Sequence, residues 1–384
     1  MSSFLKKIVE ATRLTGRGQL AEATAAIQRA LHLERSESSS SPPPTPSAPV
    51  SGSASAAVVD AEVVLDGLVR EVSPAPGPEA PLAPVDEPSV GAPPAPARFV
   101  GSTFTAAAGT RAFKLFLPPQ AAAGEPLPLV VMLHGCTQDP DDFAAGTRMN
   151  ELAQAEGFFV LYPAQAPRSN SHKCWNWFAP GDQRRGAGEP ALLAGMTRHV
   201  MQAHPVNPDR VYVAGLSAGG AMAAILAREY PDLFAAAGIH SGLPAGAARD
   251  VGSAFSVMKS GAAAAPTSSA PVVVFHGDAD GTVAPANGDA VIASVLGALP
   301  KGERTDGAGS AGGRSFRHTV WRAAGAAADA PSLAEQWRVS GAGHAWSGGS
   351  AAGSFAEPAG PDASREMLRF FLAHPRTVRG DPAG

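Results

Sequence analysis

The stretch GLSAGGAMAAILAREYPDLF, residues 215–234, sets Ser217 among small residues, directly after RVYVA and before an alanine-rich helical pattern. A serine hydroxyl is a poor nucleophile near neutral pH. It needs a base, and the base needs a partner that fixes its tautomer and stabilises the cation it becomes. The pattern G-x-S-x-G supplies the mechanical part, because small residues two positions to either side let a strand turn sharply into a helix and lift the hydroxyl clear of the backbone. Alone, the pentapeptide is weak evidence in a chain with 42 glycines, since a serine there also reads as a helix N-cap.

The other members of a nucleophilic constellation follow in order. HGDADGTV (276–283), at the end of the apolar run PVVVF, reads as H-G-x-x-D-x-x-V and makes Asp280 the acid, with Asp278 the fallback. SGAGHAWSGG places His344 beyond the last strand pattern, on a small-residue loop suited to a base. Ser, then Asp, then His is the chain order of α/β-hydrolases. Attack on an acyl carbon creates an oxyanion that needs two backbone donors. Ala218, the residue after the nucleophile, supplies one; the LHGCTQD loop supplies the other through the Cys136 amide, with Gly135 allowing the turn. No histidines pair at i, i+4 and no cysteines at C-x-x-C spacing, so neither a metal nor a cofactor is expected.

These side chains need a scaffold that delivers strand ends to one rim. From residue 98 onward strands and helices alternate, the pattern of a mostly parallel sheet with helices on both faces. FVGSTFTAAAGTRAFKLFLPP reads as an opening hairpin and LPLVVMLHG as the first buried strand; GFFVLYPAQ, RVYVAGLS, FAAAGIHS, PVVVFHGDAD and EQWRVSGAG follow. Helical patterns fall near 141–156, 189–204, 217–230, 285–298 and 362–374, with surface loops expected over 244–270 and 302–314.

The 384 residues divide into four parts. Residues 1–35 carry apolar positions at helical spacing around GRG and read as a helical hairpin that could dock to an unknown partner. Residues 36–98 are rich in Pro, Ser and Ala and poor in aromatics, the composition of a disordered linker; AAVVDAEVVLDGLVREV within it reads as slightly greasier linker. Residues 99–377 form the α/β domain and 378–384 a tail. A net charge of −4 with scattered basic residues argues against a nucleic-acid partner, and no apolar run is long enough to span a membrane. The lysines and mixed polar pattern of MSSFLKKIVEATRLTGRGQ do not make a signal peptide, which favours a cytoplasmic location.

In order, LHGCTQDPDDFA, CWNWF, GLSAGGAMA, YPDLFAA, FHGDADGTV and GAGHAW resemble the PHB depolymerase family of esterases, close to feruloyl and acetylxylan esterases of the α/β-hydrolase fold, over about residues 99–375. The resemblance implies Ser217 as nucleophile, Asp280 as acid partner and His344 as base, acting on a small or oligomeric ester substrate. It also implies an acyl-binding wall containing Trp175 and Trp177, a bridge from Cys136 to Cys174 that pins this wall to the oxyanion loop, and Trp346 as a further acyl contact. Family members are often exported, against the cytoplasmic reading. Without a visible export signal or an added substrate-binding domain, the expectation is hydrolysis of short-chain or oligomeric hydroxyalkanoate esters rather than crystalline polymer. A feruloyl or acetylxylan esterase is the nearest alternative; a non-catalytic granule- or surface-associating protein on a hydrolase scaffold is the alternative of another class.

Overall fold

Side chains along the central strands alternate between two cores, and this sets the architecture. On β3 (Leu127–Leu133), Leu129, Val131 and Leu133 enter one core while Val130 and Met132 enter the other, the period of two expected of a strand buried on both faces. The structure, a computed structural model, describes residues 96–376 apart from 264–267, 269, 298–301 and 328. The expected hairpin at 1–35, nearly all of the expected linker and the tail at 378–384 lie outside the described residues.

Ten strands form the main sheet. They are β1 (Arg98–Ala106), β2 (Gly109–Leu117), β3, β4 (Phe159–Pro163), β5 (Val206–Leu216), β6 (Ala236–His240), β7 (Val272–Gly277), β8 (Gly302–Ala311), β9 (Arg314–Ala323) and β10 (Ala334–Val339). Their spatial order is β1-β2-β4-β3-β5-β6-β7-β10-β9-β8. The six from β4 to β10 run parallel, and antiparallel hairpins extend both edges.

One core packs α3 (Gly188–Ala203), α4 (Ala218–Glu229) and α6 (Ala286–Leu296) on the sheet; the other packs α1 (Pro140–Thr147), α2 (Met149–Glu156) and α7 (Ala363–Leu372). The parallel sheet with helices on both faces agrees with the α/β-hydrolase pattern of the sequence. Among the described residues no helix is long and apolar enough to cross a membrane.

Three expectations about elements need correction. The helical pattern at 141–156 is two helices, because Arg148 between them adopts a left-handed conformation that breaks the first and starts the second. The expected loop at 244–270 contains α5 (Val251–Ser260), begun by a reciprocal capping box between Asp250 and Ser253. The glycine-rich stretch near 302–314 is mostly strand β8, whose pairing with β9 overrides its poor intrinsic preference.

Candidate active site

β5 ends at Leu216, and the next residue, Ser217, takes φ 57° and ψ −118° before α4 begins. A non-glycine residue in this region costs on the order of 1–3 kcal/mol and persists only where its surroundings impose it. The two flanking glycines explain how. A methyl at 219 would collide with the Leu133 and His134 carbonyl oxygens, and one at 215 with the backbone of Gly219, so strand and helix cross too closely for any side chain. Ser217 does occupy the N-cap place, yet its hydroxyl makes no capping hydrogen bond, and its backbone N–H donates to the His240 carbonyl at 2.9 Å.

The loop after β3 comes alongside. A methyl on Gly135 would sit 3.7 Å from the Ser217 Cβ and 3.1 Å from Gln138 Oε1, the atom that accepts the Gly135 N–H at 2.9 Å. His134 braces the loop from beneath. Its Nε2 accepts the Gln165 N–H at 3.1 Å, which leaves Nδ1–H to donate to the Gly135 carbonyl at 2.7 Å. Burial pulls its pKa down to about 4, so the ring is neutral and this tautomer is retained. The Cys136 amide finds no acceptor among the described residues, and Ala218 begins α4, where a backbone N–H has no partner within the helix.

Asp280 lies just past the end of β7 and is buried. Its Oδ1 accepts the Thr282 and Val283 N–H groups, each at 2.9 Å, and its Oδ2 pairs with His344 Nδ1 at 2.7 Å. Burial opposes ionisation, but hydrogen bonds from His276 and His344, the charge of His344 and the Val283 amide outweigh it and hold the carboxyl far below the usual carboxylate range. An ionised Asp280 makes Nδ1 of His344 the donor and leaves Nε2 unprotonated, with no hydrogen-bond partner among the described residues. Asp278, the fallback acid, is exposed and accepts the Gly341 N–H at 2.6 Å. His344 and Ser217 form no hydrogen bond within 3.5 Å; in unliganded sites such bonds are often long and tighten with substrate.

Two further histidines, passed over in the sequence, hold this geometry. His276 Nε2 donates to the Val283 carbonyl at 2.9 Å and stands 3.4 Å from Asp280 Oδ2, under the acid. His240 gives its carbonyl to Ser217, while its ring Nε2 accepts the Ser347 N–H at 3.0 Å, three residues beyond His344. His276 opens the H-G-x-x-D-x-x-V pattern, but there it also reads as the last core residue of an apolar strand, and His240 closes its strand within no motif.

Cys136 and Cys174 are joined in a disulfide. Behind it, the buried Glu189 carboxylate accepts the Asn176 backbone N–H at 2.7 Å and its side-chain amide at 2.9 Å, and Gln165 ties Glu189 to the Cys174 carbonyl. The three tryptophans do not occupy the expected positions. Trp175, Trp177 and Trp346 are 0, 5 and 1% exposed, with the Trp175 indole donating to the His134 carbonyl and the Trp346 ring stacked on His240. They brace the site from within and offer no free face to an acyl group. The exposed aromatic beside His344 is instead Phe355, 47% accessible, with its ring edge-on to the imidazole at 6.5 Å. Its neighbourhood, AAGSFAEP, carries no motif that would have revealed it. Among the described residues no group of three His, Cys, Asp or Glu side chains stands close enough to hold a metal ion.

Residues 111–315 match the family model described as esterase PHB depolymerase, more than half of the chain. The chain belongs to the PHB depolymerase esterase family. Within it, the chain is similar to a poly(3-hydroxyalkanoate) depolymerase C of Paucimonas lemoignei, 35% identical over 232 residues, covering 56% of this chain and 54% of the relative. It is also similar to a feruloyl esterase B of Thermothelomyces thermophilus, 33% identical over 141 residues, covering 36% and 47% of the two. The chain thus spans about half the length of these relatives. An acetyl xylan esterase from Aspergillus awamori superposes with a TM-score of 0.50 at 20% identity, covering 68% of this family member and 94% of that chain, and shares its fold.

Proposed function

We propose that this family member is a serine carboxylic-ester hydrolase cleaving short-chain or oligomeric hydroxyalkanoate esters. One observation carries the reading: His240 serves both halves of the site, its carbonyl receiving the Ser217 N–H and its ring receiving the N–H of Ser347 on the His344 loop. Nucleophile loop and base loop are therefore anchored to one strand end, while Asp280 presents the base with Nε2 free.

Chemistry follows from these groups. His344 Nε2 takes the Ser217 proton as Oγ attacks the ester carbonyl, and the ionised Asp280 stabilises the imidazolium. The oxyanion lies on the Cys136 and Ala218 amides. The same proton passes to the departing alkoxide, and the acyl group remains on Ser217. A water then gives a proton to His344 and its oxygen to the acyl carbon; as the acyl–Oγ bond breaks, His344 passes that proton to the Ser217 oxygen, releasing the acid and restoring the serine. Phe355 supplies an apolar contact beside the base.

The 35% identity to a poly(3-hydroxyalkanoate) depolymerase supports hydroxyalkanoate esters as substrates, and the 33% identity to a feruloyl esterase supports aromatic or carbohydrate esters as the second reading. Turnover of 3-hydroxybutyrate oligomers and methyl ferulate in parallel separates them. The reading as a whole is tested by phosphonate labelling with peptide mapping, and by Ser217→Ala. Label on the peptide containing Ser217, and loss of p-nitrophenyl butyrate hydrolysis by a folded variant, are expected. Label elsewhere or unchanged turnover would refute it.

A further inference from the structure

A groove of about 570 Å³ lies away from Ser217, between α6 and the face of the sheet extension formed by β8, β9 and β10. One wall is apolar: Ile292 and Leu296 from α6, with the part-buried Trp321 from β9. The floor is polar and carries three arginines, Arg304, Arg317 and Arg338.

The placement of two of these is unusual. In the antiparallel register Arg317 stands directly opposite Arg338, and like charges at directly opposed positions are destabilising. Arg338 is answered by Asp289, and Arg304 by Asp306 at 2.9 Å. Arg317 is exposed and makes no ion pair within 4.0 Å among the described residues; Asp306 feels its charge but is held by Arg304 and Thr319, so the Arg317 fork stays open beside an apolar wall. Gln336, one register step along on the same face, donates its amide N–H to Asp289 at 2.8 Å and keeps its Oε1 free to accept.

We propose that this groove is a second binding site, for a small monocarboxylate that carries a hydroxyl group on an apolar body. The carboxylate takes the fork of Arg317, which suits planar, two-point recognition. A hydroxyl donates to Gln336 Oε1, and the hydrocarbon lies against Leu296, Ile292 and Trp321. The groove opens next to the base loop: Asp278 and Ser340 line it, and Asp278 holds the Gly341 N–H of the loop that bears His344. Ser217, Asp280 and His344 do not line the groove, so binding there is separable from the proposed activity.

Calorimetric titration of the protein with 3-hydroxybutyrate, 3-hydroxybutyramide and inorganic phosphate tests it. Saturable binding of the hydroxy acid is expected, weakened about tenfold or more by Arg317→Glu. Arg317→Gln, which removes charge without reversing it, guards against a folding defect and should weaken binding in the same direction. Comparison of each variant with the wild type isolates this groove from any acid binding near Ser217. Equal affinity in wild type and both variants would overturn the proposal, as would an amide that binds as well as the acid. Phosphate binding as tightly as the hydroxy acid would also overturn it, because the apolar wall would then play no part.

Discussion

The ring Nε2 of His240 accepts the backbone N–H of Ser347 at 3.0 Å, across 107 residues of chain. Such a bond requires the ring to be neutral with its proton on Nδ1, next to the Ser241 hydroxyl at 3.3 Å. Burial and the neighbouring His276 and His344 pull the His240 pKa down to about 3, so the acceptor survives well into acid.

That depression has a cost in acid. Above the ordinary value of 6.5 both folded and unfolded chains hold this ring neutral; as pH falls from 6.5 towards 3 only the unfolded chain gains the proton. Stability attributable to His240 is therefore present above about pH 6.5 and is lost on acidification, at about 1.4 kcal/mol per pH unit. His240→Gln, which keeps an acceptor without titrating, should lose less stability than the wild type between pH 6.5 and 4.5. Urea unfolding at the two pH values measures the difference, and identical losses would contradict it.

Gly219→Ala should be disproportionately harmful for the addition of one methyl. The new carbon meets two backbone carbonyl oxygens that cannot rotate away, so strand and helix must separate. We expect destabilisation of about 1–3 kcal/mol and at least a hundredfold loss of p-nitrophenyl butyrate hydrolysis. Thermal unfolding and steady-state rates on the same sample test both.

Asp280 and Asp278 are separated by their surroundings, one buried against His344 and the other exposed against a backbone amide. Asp280→Asn should cut kcat by about a thousandfold or more, because the amide favours the wrong imidazole tautomer. Asp278→Asn should leave kcat within about threefold, since it removes only part of an exposed hydrogen bond. Steady-state kinetics of both variants settle the assignment; a reversed order would exchange their roles.

Phe355 offers apolar surface beside His344, which on the proposed reading a substrate's hydrocarbon covers. Phe355→Ala should raise KM for p-nitrophenyl butyrate about fivefold to tenfold and change kcat by less than about twofold. Trp346→Phe keeps the ring packing on His240 but loses the indole hydrogen bond to Ser364, and its effect should fall on thermal stability more than on KM.

Legibility varied with the range of the interaction involved. The turn at Ser217 and the strand-end positions of Asp280 and His344 could be read because such loops are built from neighbours in sequence, where a glycine two positions away decides the backbone. The parallel sheet could be read for the same reason, from apolar runs separated by helical patterns. The break at Arg148 and the capping box of α5 are equally local but are marked by no distinctive residue type, and strand β8 forms only through pairing with β9, which its glycine-rich composition conceals.

The tryptophans show the limit most clearly. The sequence alone determined that aromatic residues flank the cysteine and the histidine, and it determined the order in which Ser217, Asp280 and His344 occur. Only the tertiary structure decided which faces those rings present: Trp175 and Trp346 are enclosed by His134, His240 and the sheet, while Phe355 is left at the surface beside His344. A side chain's type depends on nothing beyond its own position, but its exposure depends on segments brought over it from elsewhere in the chain. The same holds for His240, a core residue by local pattern and a clamp between two functional loops only once Ser217 and Ser347 fold against it.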